Sequence, residues 1–256
     1  MNLILLETPE LREDGTARLT DRRARHAAEV LRAVPGDRLQ VGLVGGRMGT
    51  AEVLAASERE VVLRPALDRD PPPRAPVDLV VALPRPKILR KVLQAAASLG
   101  VRRLVLLGSW RVEKSYWASP LLAPAAIEGE LRLGLEQGRD TIAPEVLVRR
   151  FFKPFVEDEL DALFAEEARL LAHPAAATPL AARAAGAPRA AAAIGPEGGF
   201  TPYEAAALEA RGFEPFSLGP RVLRVDVAVP CVTGQVALWL GLPRGGASGE
   251  RPPSPG

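Results

Sequence analysis

Cysteine is almost absent from this chain of 256 residues, with Cys231 standing alone. One thiol excludes an internal disulfide and any zinc site built on cysteine. Histidine is nearly as scarce, limited to His26 and His173, so a histidine-based metal centre is not expected. No carboxylate spacing suggests a metal either. Long apolar runs are missing too, and none approaches the ~20 residues that span a bilayer. The opening MNLILLETPE has an apolar patch too short for a signal segment, no basic stretch before it, and Glu7 close behind. The expectation is a soluble, cytoplasmic protein. A formal net charge of only +2 announces no nucleic-acid partner.

Charge distribution says more than its sum. Arg85, Lys87, Arg90, Lys91, Arg102, Arg103, Arg111 and Lys114 fall in one stretch against Glu113 alone. Arg18, Arg22, Arg23, Arg25 and Arg32 form a second cluster against Asp21 and Glu29. Clusters of this kind hold phosphates or form solvated faces, and charge does not choose between the two. Arginine suits planar phosphate contacts, although the Ala- and Pro-rich composition also fits a simple coding bias.

With 47% hydrophobic and 25% charged residues, the chain can bury a sizeable core in one or two domains. Residues 1–70 read as a small β-barrel, because DRLQVGLV, MGTAEVLAA and REVVLRPAL are short apolar runs between turns. Within them DRRARHAAEVLRA reads as a helix with Ala27, Val30, Leu31 and Val34 on one face. Prolines gathered in residues 68–76 deny hydrogen bonds to helix or sheet, so residues 71–76 are the expected linker. Strand and helix patterns then alternate over residues 77–243, as in an α/β domain with a mostly parallel sheet. The Ala-rich stretches around residues 175–193 read as loops, and the tail, residues 244–256, is expected to be disordered.

Two glycine turns stand out. AIGPEGGFTPYE runs from an apolar strand into Gly195, Gly198 and Gly199, and restarts as a helix at a capping box of Thr201, Pro202 and Glu204. SLGPRVLR repeats the design with Gly219 and Pro220, then adds Arg221 and Arg224. Each could be a tight turn and nothing more. Each could also let a ligand approach bare backbone beyond a strand end, and two at consecutive strand ends can face one cleft. Glu197, a carboxylate among glycines, points to such a site. Neither turn has dinucleotide spacing or a phosphate-loop lysine. His173, at the end of another strand, reads as a packed neutral ring.

Together, GPEGGFTPYE and SLGPRVLR resemble the ribosomal RNA small subunit methyltransferase E family, of the SPOUT class. HAAEVLRAVPGD, LPRPKILRKVLQAAASLGV and EQGRDTIAPEV are similar to further segments of that family, so the resemblance covers nearly the whole chain. It implies an N-terminal PUA-like β-barrel that binds RNA and a C-terminal SPOUT α/β domain with a trefoil knot. It further implies a homodimer that uses S-adenosylmethionine to methylate N3 of a uridine in 16S rRNA of the small ribosomal subunit. The C-terminal VTGQVALWLG fits a dimer, since it places Val236, Trp239 and Leu240 on a helix with little chain left to cover it.

By the same resemblance, the cofactor site comprises Leu171, Ala172 and His173 at one strand end and Ile194, Gly195, Pro196, Glu197 and Gly198 at the next. Leu218, Gly219, Val222 and Leu223 complete it. Arg221 and Arg224 are the candidates to stabilise charge on the uracil, with Glu197 or Asp226 to orient them or take a proton. Arg22, Arg25, Arg32, Arg85, Lys87, Lys91 and Arg139 are the candidate RNA contacts. Where the family continues with Thr-Glu-Thr-Ala, this chain has Val225, Asp226, Val227 and Ala228, and Pro230 is expected to disturb the helix that follows. A non-enzymatic RNA-binding protein, with the glycine turns as mere turns, is the alternative.

Overall fold

Short apolar runs in the first 70 residues pair into a curled five-stranded sheet. Its strands are β1 (Ile4–Leu6), β2 (Ala17–Leu19), β3 (Arg38–Leu43), β4 (Met48–Ala56) and β5 (Val61–Arg69), in the order β1-β3-β4-β5-β2. All neighbours are antiparallel except β1 and β3. Leu6, Leu19, Val41, Val53, Val61 and Leu63 fill the concave side. The computed structural model describes residues 2–182 and 185–241, so the expected disordered tail at residues 244–256 lies outside the described residues.

Between β2 and β3 the chain forms α1 (Arg22–Arg25), which continues as a π-helical turn over His26–Val30. Here the sequence expectation fails in part. Ala24 and Ala27 are buried, but Val30, Leu31 and Val34 are exposed. A π turn carries an extra residue, which puts the later side chains out of phase with an α-helical period. Arg32, with φ +51°, then ends the segment.

The proline-rich segment follows strand β5, which runs through Asp68 and Arg69. It is held rather than loose. The Arg74 guanidinium donates to the carbonyls of Gly100, Val101 and Ala143, and Ala75 N–H donates to Gly100 O at 2.9 Å.

From Val77 the alternation read from the sequence is realised. The order is β6 (Val77–Ala82), α2 (Pro86–Ser98), β7 (Arg103–Leu107), α3 (Pro124–Gly138) and β8 (Glu145–Arg149). A broken helix follows, made of α4 (Phe152–Pro154), a π turn at Phe155–Glu159 and α5 (Leu160–Leu163). The last described elements are β9 (Ala168–Ala172), β10 (Ala190–Ile194), α6 (Pro202–Ala210), β11 (Glu214–Phe216) and α7 (Val225–Trp239). The second Ala-rich stretch is thus a strand. Four alanines run through the middle of the sheet, where small side chains bury completely between neighbours.

All five pairings of this sheet are parallel, in the order β11-β9-β10-β6-β7-β8. The chain walks outward from β6 to β8, then crosses to the other side of β6. That reversal is a topological switch point, where parallel sheets bind ligands beyond the strand ends. Helix α2 shows why it forms. Pro86 occupies its first turn, Ile88, Leu89, Val92, Leu93, Ala96 and Ala97 are buried, and Lys87, Arg90 and Lys91 face outward. Pro230 does not break α7, which runs continuously through it. Pro230 is the sixth residue of the helix, and its missing N–H leaves the Asp226 carbonyl without an intrahelical donor while the helix continues.

The two sheets are joined by specific contacts. Arg22 grips Glu136 with two bonds of 2.6 and 2.9 Å, and Arg132 pairs with Glu7. Thr141 Oγ1 donates to Gly46 O at 2.6 Å, while Leu3, Leu5 and Met48 pack into the larger core.

Candidate active site

Three adjacent strands, β11, β9 and β10, end side by side, and their loops enclose one cleft. From the end of β9 come Ala172, His173 and Pro174; from β10 come Ile194, Gly195, Pro196, Glu197, Gly199 and Phe200. Leu218, Gly219, Arg221, Val222 and Leu223 supply the wall after β11, and Ala228 of α7 closes the far side. The two glycine turns therefore face each other, as their positions at consecutive strand ends suggested.

Backbone geometry explains the glycines. Gly199 has φ +73°, a left-handed conformation that side chains disfavour. A Cβ on Gly195 would sit 2.9 Å from the backbone nitrogen of Phe200, so the turn has no room for one. Helix α6 then starts where the sequence placed it. Thr201 Oγ1 accepts from Glu204 N–H at 3.2 Å, and the Glu204 carboxylate accepts from Thr201 N–H at 2.8 Å. That carboxylate also accepts the Trp110 N–H at 2.7 Å, which fastens the loop after β7 to the glycine turn. Arg111 adds a bond to Gly198 O.

Other candidates fall differently from expectation. Leu171 is wholly buried under the cleft, and Gly198 turns away from it, toward the Arg111 side chain. Glu197 is half-exposed, and pairs with Arg85 at 3.4 Å. A turn this tight pushes a long side chain out to solvent. Asp226 pairs with Lys91 at 2.8 Å, and that bond holds its carboxyl below the usual carboxylate range. His173 lies on the cleft wall, where its Nδ1 accepts from Ala175 N–H at 3.2 Å.

Arg221 and Arg224 differ from these paired groups. Both are exposed, and neither guanidinium has an ion pair or hydrogen bond among the described residues. Arg224 also caps the N-terminus of α7, where a cation is unfavourable to the helix dipole. Of the expected RNA contacts, Arg22, Arg85 and Lys91 are spent on Glu136, Glu197 and Asp226. Arg25, Arg32, Lys87 and Arg139 are exposed and unpaired among the described residues. Lys87 lines a groove of about 1010 Å³ between the sheets, together with Arg22, Arg90 and Arg132.

Comparison with known proteins matches this arrangement. Residues 71–237 match the RNA methyltransferase domain, and residues 19–66 match the RNA methyltransferase PUA domain. The chain belongs to the ribosomal RNA small subunit methyltransferase E family. The family protein of Treponema pallidum is 30% identical over 243 residues, covering 93% of this chain and 91% of its own. That of Mycobacterium bovis is 30% identical over 229 residues, covering 83% and 82%. A crystal structure of the Neisseria gonorrhoeae family member, bound to S-adenosyl methionine, shares the fold with a TM-score of 0.72 at 22% identity, over 93% of this chain and 98% of that one.

Within this methyltransferase E chain, sequence reasoning passed over two residues that shape the site, Phe200, which walls the cleft, and Trp110, which hangs from Glu204. Arg111, read only as one of a basic cluster, braces the glycine turn. Their signal was position: each follows a strand end or sits inside a motif already singled out.

Proposed function

We propose that this methyltransferase E family member transfers a methyl group from S-adenosylmethionine to N3 of a uridine in 16S rRNA. The observation that carries the reading is the cleft, formed by two glycine turns with the unpaired Arg221 on its wall and Arg224 three residues further on, at the start of α7. The donor set fits the cofactor. Backbone groups at residues 195–196 and 218–219 suit a polar purine edge, while Ile194, Phe200, Leu218 and Leu223 offer apolar walls.

When bound, the cofactor supplies an electrophilic methyl group on a sulfonium. The protein's task is then to place uracil N3 in line and to favour loss of its proton. N3 lies on the pairing edge, so the target must be unpaired or flipped out. Arg221 and Arg224 stabilise the negative charge that grows on the uracil. Glu197, exposed at the rim, accepts a proton or orients Arg85. Asp226 has one oxygen committed to Lys91, so it acts as a positioning residue.

The smaller sheet, residues 1–70, serves as the RNA-binding PUA-like domain, with residues 71–76 as linker and residues 77–243 as the SPOUT domain. Arg25, Arg32, Lys87 and Arg139 contact phosphates. The knot expected of SPOUT enzymes lies in the two glycine turns and α7, and the protein works as a homodimer on cytoplasmic small subunits.

Single-turnover methyl transfer to undermethylated 30S subunits tests the reading. Arg224→Ala should slow transfer by roughly 10²-fold, as loss of a transition-state charge partner does, with cofactor affinity held within a few-fold by calorimetry. Full activity in that variant, or no cofactor binding by the unaltered protein, would reject it.

A further inference from the structure

Beyond the ends of β7 and β8 lies a second depression, of about 660 Å³, which belongs neither to the cleft nor to the groove between the sheets. Aromatic side chains surround it. Trp110, Phe151 and Tyr203 are 86%, 67% and 64% exposed. Single exposed apolar residues are ordinary, but three around one depression are not.

Each aromatic stands on fixed backbone. Trp110 N–H is bound by the Glu204 carboxylate, Tyr203 sits in the capped first turn of α6, and Phe151 precedes α4. The cations Arg150 and Lys153 also line the depression, and the Arg150 guanidinium lies 6.0 Å from the Phe151 ring centre. Its one carboxylate, Glu204, is buried and consumed by bonds from Thr201, Ser109 and Trp110. The surface therefore offers π faces and positive charge with no free acid. That chemistry fits a nucleobase with its phosphate better than an apolar protein segment, which would desolvate Arg150 without pairing it and Lys153 with only its exposed partner Glu157 at 3.7 Å.

Position relates the depression to the reaction. Phe200 lines the cleft, and its ring packs at 6.3 Å against Phe152 on the wall of the depression. We infer that this depression stacks an unpaired base flanking the target uridine, with Arg150 and Lys153 on its phosphate. The inference rests on the RNA methyltransferase reading above. Stacking there would hold the strand open while the neighbouring base enters the cleft.

The test uses the full-length protein and a short single-stranded oligoadenylate, with affinity read by anisotropy. Trp110→Ala and Tyr203→Ala should each weaken binding by about 5-fold or more, the effect of losing one stacked base. Trp110→Phe should restore most of it, because a phenyl ring still stacks. Salt dependence should stay unchanged in the aromatic variants and shallower in Arg150→Ala. Unchanged affinity in both alanine variants, with normal melting and cofactor binding, would overturn the stacking site and leave the enzyme reading intact. Loss of self-association at unchanged RNA affinity would also overturn it, assigning the surface to a protein contact. Absence of oligoadenylate binding by the unaltered protein would overturn the stacking site, while the enzyme reading stands or falls on cofactor binding and methyl transfer.

Discussion

A single added methyl group distinguishes Gly195 from Gly198. At Gly195 the new carbon would press on the Phe200 backbone, which cannot yield without moving the turn. At Gly198 it would meet the Arg111 side chain at 3.1 Å, and a flexible chain can shift. Gly195→Ala should therefore lower S-adenosylmethionine affinity by about tenfold or more, in line with the usual penalty of overpacking. Gly198→Ala should cost a few-fold at most, and calorimetry on both variants separates them. Two aspartates make a second pair of opposites. The Lys91 bond depresses the Asp226 carboxyl, so its stabilising effect is complete above about pH 4 and fades as pH falls through the lowered folded value. Burial raises the Asp78 carboxyl, although Arg102 and Arg103 partly offset it, so its contribution is present below about pH 4 and lost as pH climbs. Measured from about pH 3 to 7, the melting difference between the natural protein and Asp226→Asn should widen with pH. The same difference for Asp78→Asn should shrink.

Helix α6 depends on its cap more than on its apolar face. Thr201 and Glu204 satisfy each other's backbone donors, and Glu204 also holds the loop carrying Trp110. Thr201→Ala should cost about 1 kcal/mol in urea unfolding, as loss of an N-cap does. Glu204→Ala should cost more, because it leaves the Trp110 N–H and the Thr201 N–H without their acceptor. This element was legible from its sequence because a capping box acts within four residues. The segment starting at Arg22 was not. Its π turn changes the period, and nothing local in HAAEV announces that Val30 and Val34 will face solvent.

At the scale of the molecule, α7 leaves Leu238 81% and Val227 45% exposed, and Val222 of the second glycine turn is 79% exposed. Val236, expected on that surface, is instead in the core, and Trp239 and Leu240, expected beside it, are partly buried against the same core. These outward residues are the face we assign to a second copy of the chain. Leu238→Asp should shift sedimentation at micromolar concentration from dimer to monomer without altering the melting of the protomer core. The joint between the sheets also matters here. Leu3, Leu5 and Met48 enter the larger core, so removing residues 1–70 would strip apolar cover from the catalytic domain as well as RNA contacts.

Much of this protein is legible in its sequence. Parallel β/α alternation, the proline break, the capped helix after GPEGGF and the two glycine turns all follow from interactions within a few residues, which sequence records directly. Pairing across distance is another matter. That Lys91 would meet Asp226, Arg85 meet Glu197 and Arg22 meet Glu136 could not be read from charge clusters, because each pair joins residues more than 100 positions apart. The same holds for the aromatic depression, whose members come from the ends of β7 and β8 and the start of α6. Strand order in the sheet brings those ends together, and that order is set by burial of whole strands rather than by any local motif.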